Sequence, residues 1–250
     1  NQNYLYCPSY NILKFLFYIK CKINRFDINP FVTTFMIILL KLFSAESRND
    51  NFTRKVKILK KIEILEKKVL SNEWATLNEY VYSFERKDGT KQIHNREVYD
   101  KGDGSAIILY NKQTNKIILT RQFRIPTYVN GNNDGYMIEA CAGLLDGLTP
   151  EECVVKETQE ETGYKIETPK RLFHSYMVAG AVTEIIYFFV APYDESMKVA
   201  KGGGLEDEGE EIEVLEYDFN EAYNMIFTGE IIDAKTIMLL QHMKIEKIMD

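Results

Sequence analysis

The sequence is poor in the residues that build most metal cages. It holds four cysteines (Cys7, Cys21, Cys141, Cys153) with no CxxC spacing, and three scattered histidines (His94, His174, His242). That argues against a zinc cage or a disulfide framework and fits a reducing, cytoplasmic compartment. Basic charge is also in deficit. Thirty-one Lys and Arg stand against 37 Asp and Glu, a net charge of −6, which argues against a nucleic-acid polymer as partner. A small anionic substrate remains compatible, because a bound cation reverses the field inside an acidic pocket. The apolar run at 31–43 is interrupted by Lys41 and falls short of the ~20 residues a membrane span needs, so no membrane association is expected.

What is present is a globular composition, 45% hydrophobic and 27% charged over 250 residues. That is enough for one substantial core, or for one domain with an appendage. Residues 1–50 are rich in Asn, Ile, Phe, Tyr and Lys and carry six Lys or Arg against three Asp or Glu, which leaves the rest at −9. They read as an extension without a catalytic role. A start at Met36 would instead give a short hydrophobic leader.

From about Asn51 the pattern is that of a mixed domain. Residues 55–69 suit a short helix or an early strand. The alternating stretches LNEYVYSFERKDGT and KQIHNREVYD, with Asp88-Gly89 between them, read as a hairpin. Further strands are expected at 105–111, 116–125, 136–143, 171–177, 184–193 and 211–218. Helices are expected at 149–162, 219–227 and 233–245. The first has Thr149 as N-cap, Pro150 at its first position and Glu152 as capping-box partner, and it ends at Gly163. The class is α+β.

The informative stretch is GLLDGLTPEECVVKETQEETGY, residues 143–164. On a helix, Glu157, Glu160 and Glu161 fall at i, i+3 and i+4 and share a face, where like charges cost a few tenths of a kcal/mol per pair, roughly. A divalent cation would relieve that repulsion, and Mg²⁺ commonly takes one or two carboxylates and completes its shell with waters and phosphate oxygens. A solvated acidic face is the competing reading.

The order of glycine loop, helix and clustered carboxylates resembles the Nudix hydrolase box, with Gly143, Glu157, Glu160, Glu161 and Gly163 in matching places. Lys156 stands where Arg is usual, Thr149 where the first Glu is expected, and the loop with its helix is one residue short. The strings REVYDKGDGSAIILYN, RQFRIPTYVNG, EACAGLLDG, AGAVTE, GGGLEDEGEEIEVLE and IIDAKTIMLL extend the likeness. From about Ile62 onward the chain resembles the GDP-mannose pyrophosphatase branch of the ADP-ribose pyrophosphatase-like Nudix enzymes. That resemblance implies a Nudix fold, a mixed β-sheet sandwiched between helices (α/β/α), preceded by antiparallel strands used in dimerisation. The domains would be an extension at 1–50, a dimerising strand region at 51–103 and the hydrolase at 104–250.

The resemblance also implies roles. Metal ions, Mg²⁺ or Mn²⁺, would be held by Glu157, Glu161, the carbonyl of Ala142 and one carboxylate from the 206–211 loop. Glu210 is chosen for that place, with Glu208 its rival, and Glu210 is also assigned as the base. The Gly202-Gly203-Gly204 start suggests a mobile loop. Substrate contacts would come from Trp74, Arg124, Ala142, Gly143, Leu144, Glu184, Asp207 and Lys235. Arg96 and Glu97 would reach the partner's site in a strand-exchanged homodimer with a composite site.

The implied reaction is metal-dependent hydrolysis of a nucleoside diphosphate sugar, GDP-mannose to GMP and mannose 1-phosphate. ADP-ribose cleavage to AMP and ribose 5-phosphate is the alternative within the enzyme class. A nucleotide-sugar-binding regulator without turnover is the alternative outside it.

Overall fold

The computed structural model describes residues 62–205 and 209–250. The expectations for 1–61, Asp207 and Glu208 lie outside the described residues.

Three strands open the described chain: β1 (Glu63–Asn72), β2 (Thr76–Glu85) and β3 (Lys91–Asp100), an antiparallel sheet in that order. The segment that suits helix or strand is therefore a strand from Glu63. The β2–β3 turn spans five residues rather than two. Gly89 sits at φ +87 and donates its N–H to the Arg86 carbonyl. The backbone of Tyr99 ties β3 to the following domain through hydrogen bonds with Ala181 and Thr183.

The main sheet is built from β4 (Gly104–Asn111), β5 (Lys116–Phe123), β6 (Tyr136–Glu139), β7 (Cys141–Leu144), β8 (Lys170–Tyr176), β9 (Ile185–Pro192) and β10 (Glu213–Asp218), with a short helix α1 (Ile125–Val129) after β5. Its path is β10-β5-β4-β9-β8. The β4–β9 pair is parallel and the others are antiparallel, so the sheet is mixed. Alternate residues of its central strands enter two cores. Ala106, Ile108, Ile186 and Phe188 pack with residues of α3 (Phe219–Thr228) and α4 (Ala234–Ile245), while Ile107, Leu109 and Phe189 pack with Val154 of α2 (Pro150–Glu157). A continuous apolar run puts apolar side chains on both faces of a strand and requires cover on both, and the helices supply it.

The one expected strand at 136–143 is two. β5 pairs with β4 only at Ile117–Ile118 and Lys116, and further on it pairs with β6. β4 pairs with β7 over Gly104–Ile107. The strands β4 and β5 thus diverge, and the chain fills the gap by switching neighbours at Ala140. The freed Ala140 N–H donates to the Thr236 hydroxyl at 2.6 Å, which satisfies a buried donor that the ladder no longer serves.

Candidate active site

The divergence of β4 and β5 puts Ala142, Gly143 and Leu144 at the mouth of a cleft of about 440 Å³. The helix that follows begins as the sequence requires. Thr149 accepts from the Glu152 N–H, and the Glu152 carboxylate accepts from the Thr149 N–H at 2.9 Å. Thr149, in the place where the box has its first Glu, is therefore the N-cap.

The helix does not continue as one α-helix to residue 162. After Glu157 it widens to a π-turn over Thr158–Thr162 and stops at Gly163 in the left-handed conformation. The Thr158 and Thr162 hydroxyls donate to the carbonyls four residues back, at 2.6 and 2.5 Å. A π-turn takes one more residue into each hydrogen-bonded ring than an α-turn, and such turns recur at functional sites. Here it leaves Glu161 buried, while Glu160 stays half-exposed beside Lys156.

Gly143 lets Glu157 lie against the strand. A β-carbon there would fall 2.2 Å from the Glu157 carboxyl carbon. Burial first, then Glu160 and Glu210, push the Glu157 carboxyl above its usual range, against the pull of Lys156. Beneath it, Glu161 accepts from the Ala142 N–H at 3.3 Å. Burial, then the charges of Glu157 and Glu210, push its carboxyl up to about 8.

Lys156, in the place of the box Arg, lies 2.7 Å from Glu160 and 3.4 Å from Glu157. The hydrogen bond to Glu160 is the main reason its ammonium is held well above the usual lysine range. The ammonium thus faces two carboxylates as a compact point charge, without the planar fork of a guanidinium.

Among the described residues, no three His, Cys, Asp or Glu side chains are grouped to hold a metal ion unaided. The donor chemistry nevertheless fits a hard divalent cation. Glu157 and Glu161 are crowded and partly desolvated against their own charge, and the Ala142 carbonyl belongs to the same strand. Two carboxylates, a carbonyl and substrate phosphate oxygens make an ordinary Mg²⁺ shell.

Of the residues expected to meet substrate, Trp74, Arg124, Gly143, Leu144, Glu184 and Lys235 line this one cleft with Ala142, and Glu157 and Glu210 join them. Trp74, on the β1–β2 turn, is 73% exposed, so it is not a core residue of this chain. Glu161 lies behind the lining. Arg96 and Glu97 are exposed on β3 and do not line it.

The cleft also holds residues the sequence reading did not single out: Lys101, paired with Glu184, and Glu139, paired with Arg124 and Lys235. Charges brought together from β3–β4, β6 and α4 leave no spacing signal in a chain. Burial alone would lower the Lys235 ammonium, but Asp233 and then Glu139 hold it above the usual range, so it is charged.

The glycine strap at 202–204, where the loop begins, is hydrogen-bonded to the end of the π-turn. Gly203 and Gly204 donate to the carbonyls of Glu161 and Glu160 at 2.9 and 3.2 Å, and a β-carbon on Gly202 would lie 2.6 Å from the Glu161 oxygen. Glycine is needed there for close approach to the end of the π-turn. Glu210 then folds back, its carboxylate accepting from the Leu205 N–H at 3.1 Å.

Residues 100–240 match the model of the NUDIX domain, and residues 61–99 match that of the GDP-mannose pyrophosphatase NudK N-terminal domain. A protein of Pectobacterium atrosepticum named GDP-mannose pyrophosphatase is 56% identical over 181 residues, 72% of this chain and 93% of its own length. One of Cronobacter sakazakii with the same name is 49% identical over 189 residues, 76% of this chain and 98% of its own length. A crystal structure titled as an ADP compounds hydrolase shares the fold at 18% identity, with a TM-score of 0.57 over 75% of this chain and 97% of that one.

Proposed function

The chain belongs to the Nudix hydrolase family, and from that premise we propose that it hydrolyses the pyrophosphate bond of GDP-mannose to GMP and mannose 1-phosphate. The observation that carries this reading is one cleft holding Glu157 and Glu210 beside Arg124 and Lys235, with Glu161 directly behind. The relatives named for that activity cover most of the chain.

The chain's own groups divide the work. Glu157, Glu161 and the Ala142 carbonyl would hold a divalent cation, Mg²⁺ or Mn²⁺. When bound, such a cation neutralises phosphate oxygens and makes a water more acidic. Arg124 and Lys235 receive the anionic diphosphate and sugar end, with Asp207 a further contact. Trp74 offers a ring face for the base, a contact worth about 1–3 kcal/mol in nucleic-acid systems. Glu210 accepts the proton of the water as its oxygen bonds to phosphorus and the bridging P–O bond breaks. The leaving phosphate takes the electron pair.

The chain is expected to act in the cytoplasm as a homodimer that exchanges its first three strands. Residues 51–103 supply those strands and 104–250 the hydrolase, while 1–50 take no part in catalysis. Two features support the exchange. All ten residues of β1 are exposed, Ile64, Leu65, Val69 and Leu70 among them, and an apolar surface of that kind marks a partner interface. Arg96 and Glu97 also lie off the cleft of their own chain, free to complete a partner's.

A panel of nucleoside diphosphate sugars assayed with Mg²⁺ tests the activity. GDP-mannose should be cut fastest; much faster turnover of ADP-ribose overturns the substrate assignment. Light scattering on the eluting protein tests the dimer, which a monomer mass at working concentration would refute.

A further inference from the structure

The cationic part of the cleft is organised around a buried carboxylate. Glu139 ends β6, and each of its oxygens serves one cation. Oε2 accepts from Arg124 Nε at 2.8 Å and lies 2.8 Å from Nη2, while Oε1 lies 3.6 Å from Lys235 Nζ. Lys235 is held on a second side by Asp233 at 2.7 Å. Asp233 also caps α4, accepting from the Thr236 N–H at 2.9 Å and from its hydroxyl at 2.8 Å. That same hydroxyl receives the Ala140 N–H, and the Glu139 carbonyl accepts from the Thr120 hydroxyl at 3.3 Å. The backbone under Glu139 is therefore fastened to β5 on one side and to α4 on the other.

Without Glu139, Arg124 and Lys235 would be two long, like-charged side chains sharing a cleft. They would repel each other and lose rotamer freedom when an anion ordered them, and ordering flexible side chains weakens binding. With Glu139 between them they are already charged, screened and aimed. Oε2 takes both guanidinium contacts of Arg124 while Oε1 faces the Lys235 ammonium, so the carboxylate is turned toward the two cations.

We propose, on the nucleotide-sugar reading of this cleft, that Glu139 is a positioning residue that sets Arg124 and Lys235 as a fixed cationic pair for the diphosphate and sugar end of the substrate. It acts on substrate affinity and not on the hydrolytic step, because the carboxylates that would serve the water, Glu157, Glu161 and Glu210, are separate groups.

Steady-state kinetics on the full chain with Mg²⁺ tests this, using GDP-mannose and ADP-ribose as parallel substrates. Glu139→Gln should raise KM about tenfold, leave kcat within about threefold and leave the Mg²⁺ concentration for half-maximal rate unchanged. The Glu139→Gln/Arg124→Ala double variant should raise KM by less than the product of the two single effects. Glu139→Asp, which keeps the charge, should recover part of the loss, and it carries the test if the Gln variant does not fold. A KM that is unchanged in the folded variant, or KM effects that simply multiply, overturns the assignment. So does a fall in kcat alone with a lowered melting temperature, the mark of a merely structural role. A wild type that prefers ADP-ribose sinks the GDP-mannose reading alone, since the Glu139 comparison is then read on ADP-ribose. If the wild type cuts neither, the same tenfold ratio is read in dissociation constants for GDP-mannose by calorimetry.

Discussion

The carboxyl carbon of Glu157 lies 2.2 Å from where a β-carbon on Gly143 would stand. Gly143→Ala must therefore push the carboxylate aside. The displaced group is the far end of a flexible side chain, so the fold should survive, with the melting temperature within a few degrees. Misplacing a catalytic group by about 1 Å costs on the order of 100-fold, and kcat should fall by about that much. Undiminished turnover would mean that Glu157 is not at the reacting centre.

Glu161→Gln replaces a buried ionisable carboxyl without removing volume. Activity should drop by at least about 1,000-fold, the scale at which loss of a preorganised electrostatic group is felt. The metal-free protein should be as stable as wild type or more so, because burial disfavours the ionised carboxyl. Thermal melting in EDTA beside an activity assay checks both halves.

Metal removal should abolish turnover, and added Mg²⁺ should restore it. A ligand that binds only the folded state raises the melting temperature, so the wild type should melt higher in Mg²⁺ than in EDTA. The gap should close in Glu161→Gln. A wild type that stays active after exhaustive chelation would contradict the cation site.

Lys156 touches Glu160 and Glu157 as a point charge. Lys156→Arg keeps the charge and should hold kcat/KM within about threefold, whereas Lys156→Ala should cost about tenfold, the usual asymmetry between moving a charge and deleting it. Equal losses in both variants would show that hydrogen-bond geometry, not charge, is what matters.

Glu216 accepts from the Tyr193 hydroxyl at 2.7 Å and from Lys116 at 2.5 Å. Burial alone would raise its carboxyl, but those two partners bring it below the usual value of 4.5. A folded pKa below the unfolded one contributes stability that is complete above that value and is lost as pH falls through the folded pKa. Thermal melts from pH 6 downward should show Glu216→Gln starting less stable and losing less on acidification. Parallel acid limbs for variant and wild type would refute the linkage.

Much of this protein was legible in one dimension because the signals are local. The near-continuous apolar runs in SAIILYN and EIIYFFVAPY mark strands buried on both faces, and the Thr149, Pro150 and Glu152 triplet starts its helix where the chain says. The spacing of Glu157, Glu160 and Glu161 announces a carboxylate cluster within a single stretch of backbone. Tertiary structure decided what depends on partners far apart in sequence. The run YMIEACAG has one strand's pattern and becomes two only because β4 and β5 diverge and Ala140 finds Thr236 on α4. The glycines at 202–204 suggest a mobile loop by composition, and only the structure shows Gly203 and Gly204 bonded to the carbonyls of Glu161 and Glu160. Glu139 carries no motif. Its charge acquires meaning only when a chain reversal brings Arg124 to one of its oxygens and α4 brings Lys235 to the other, since electrostatic pairing is set by distance in space and not by distance along the chain.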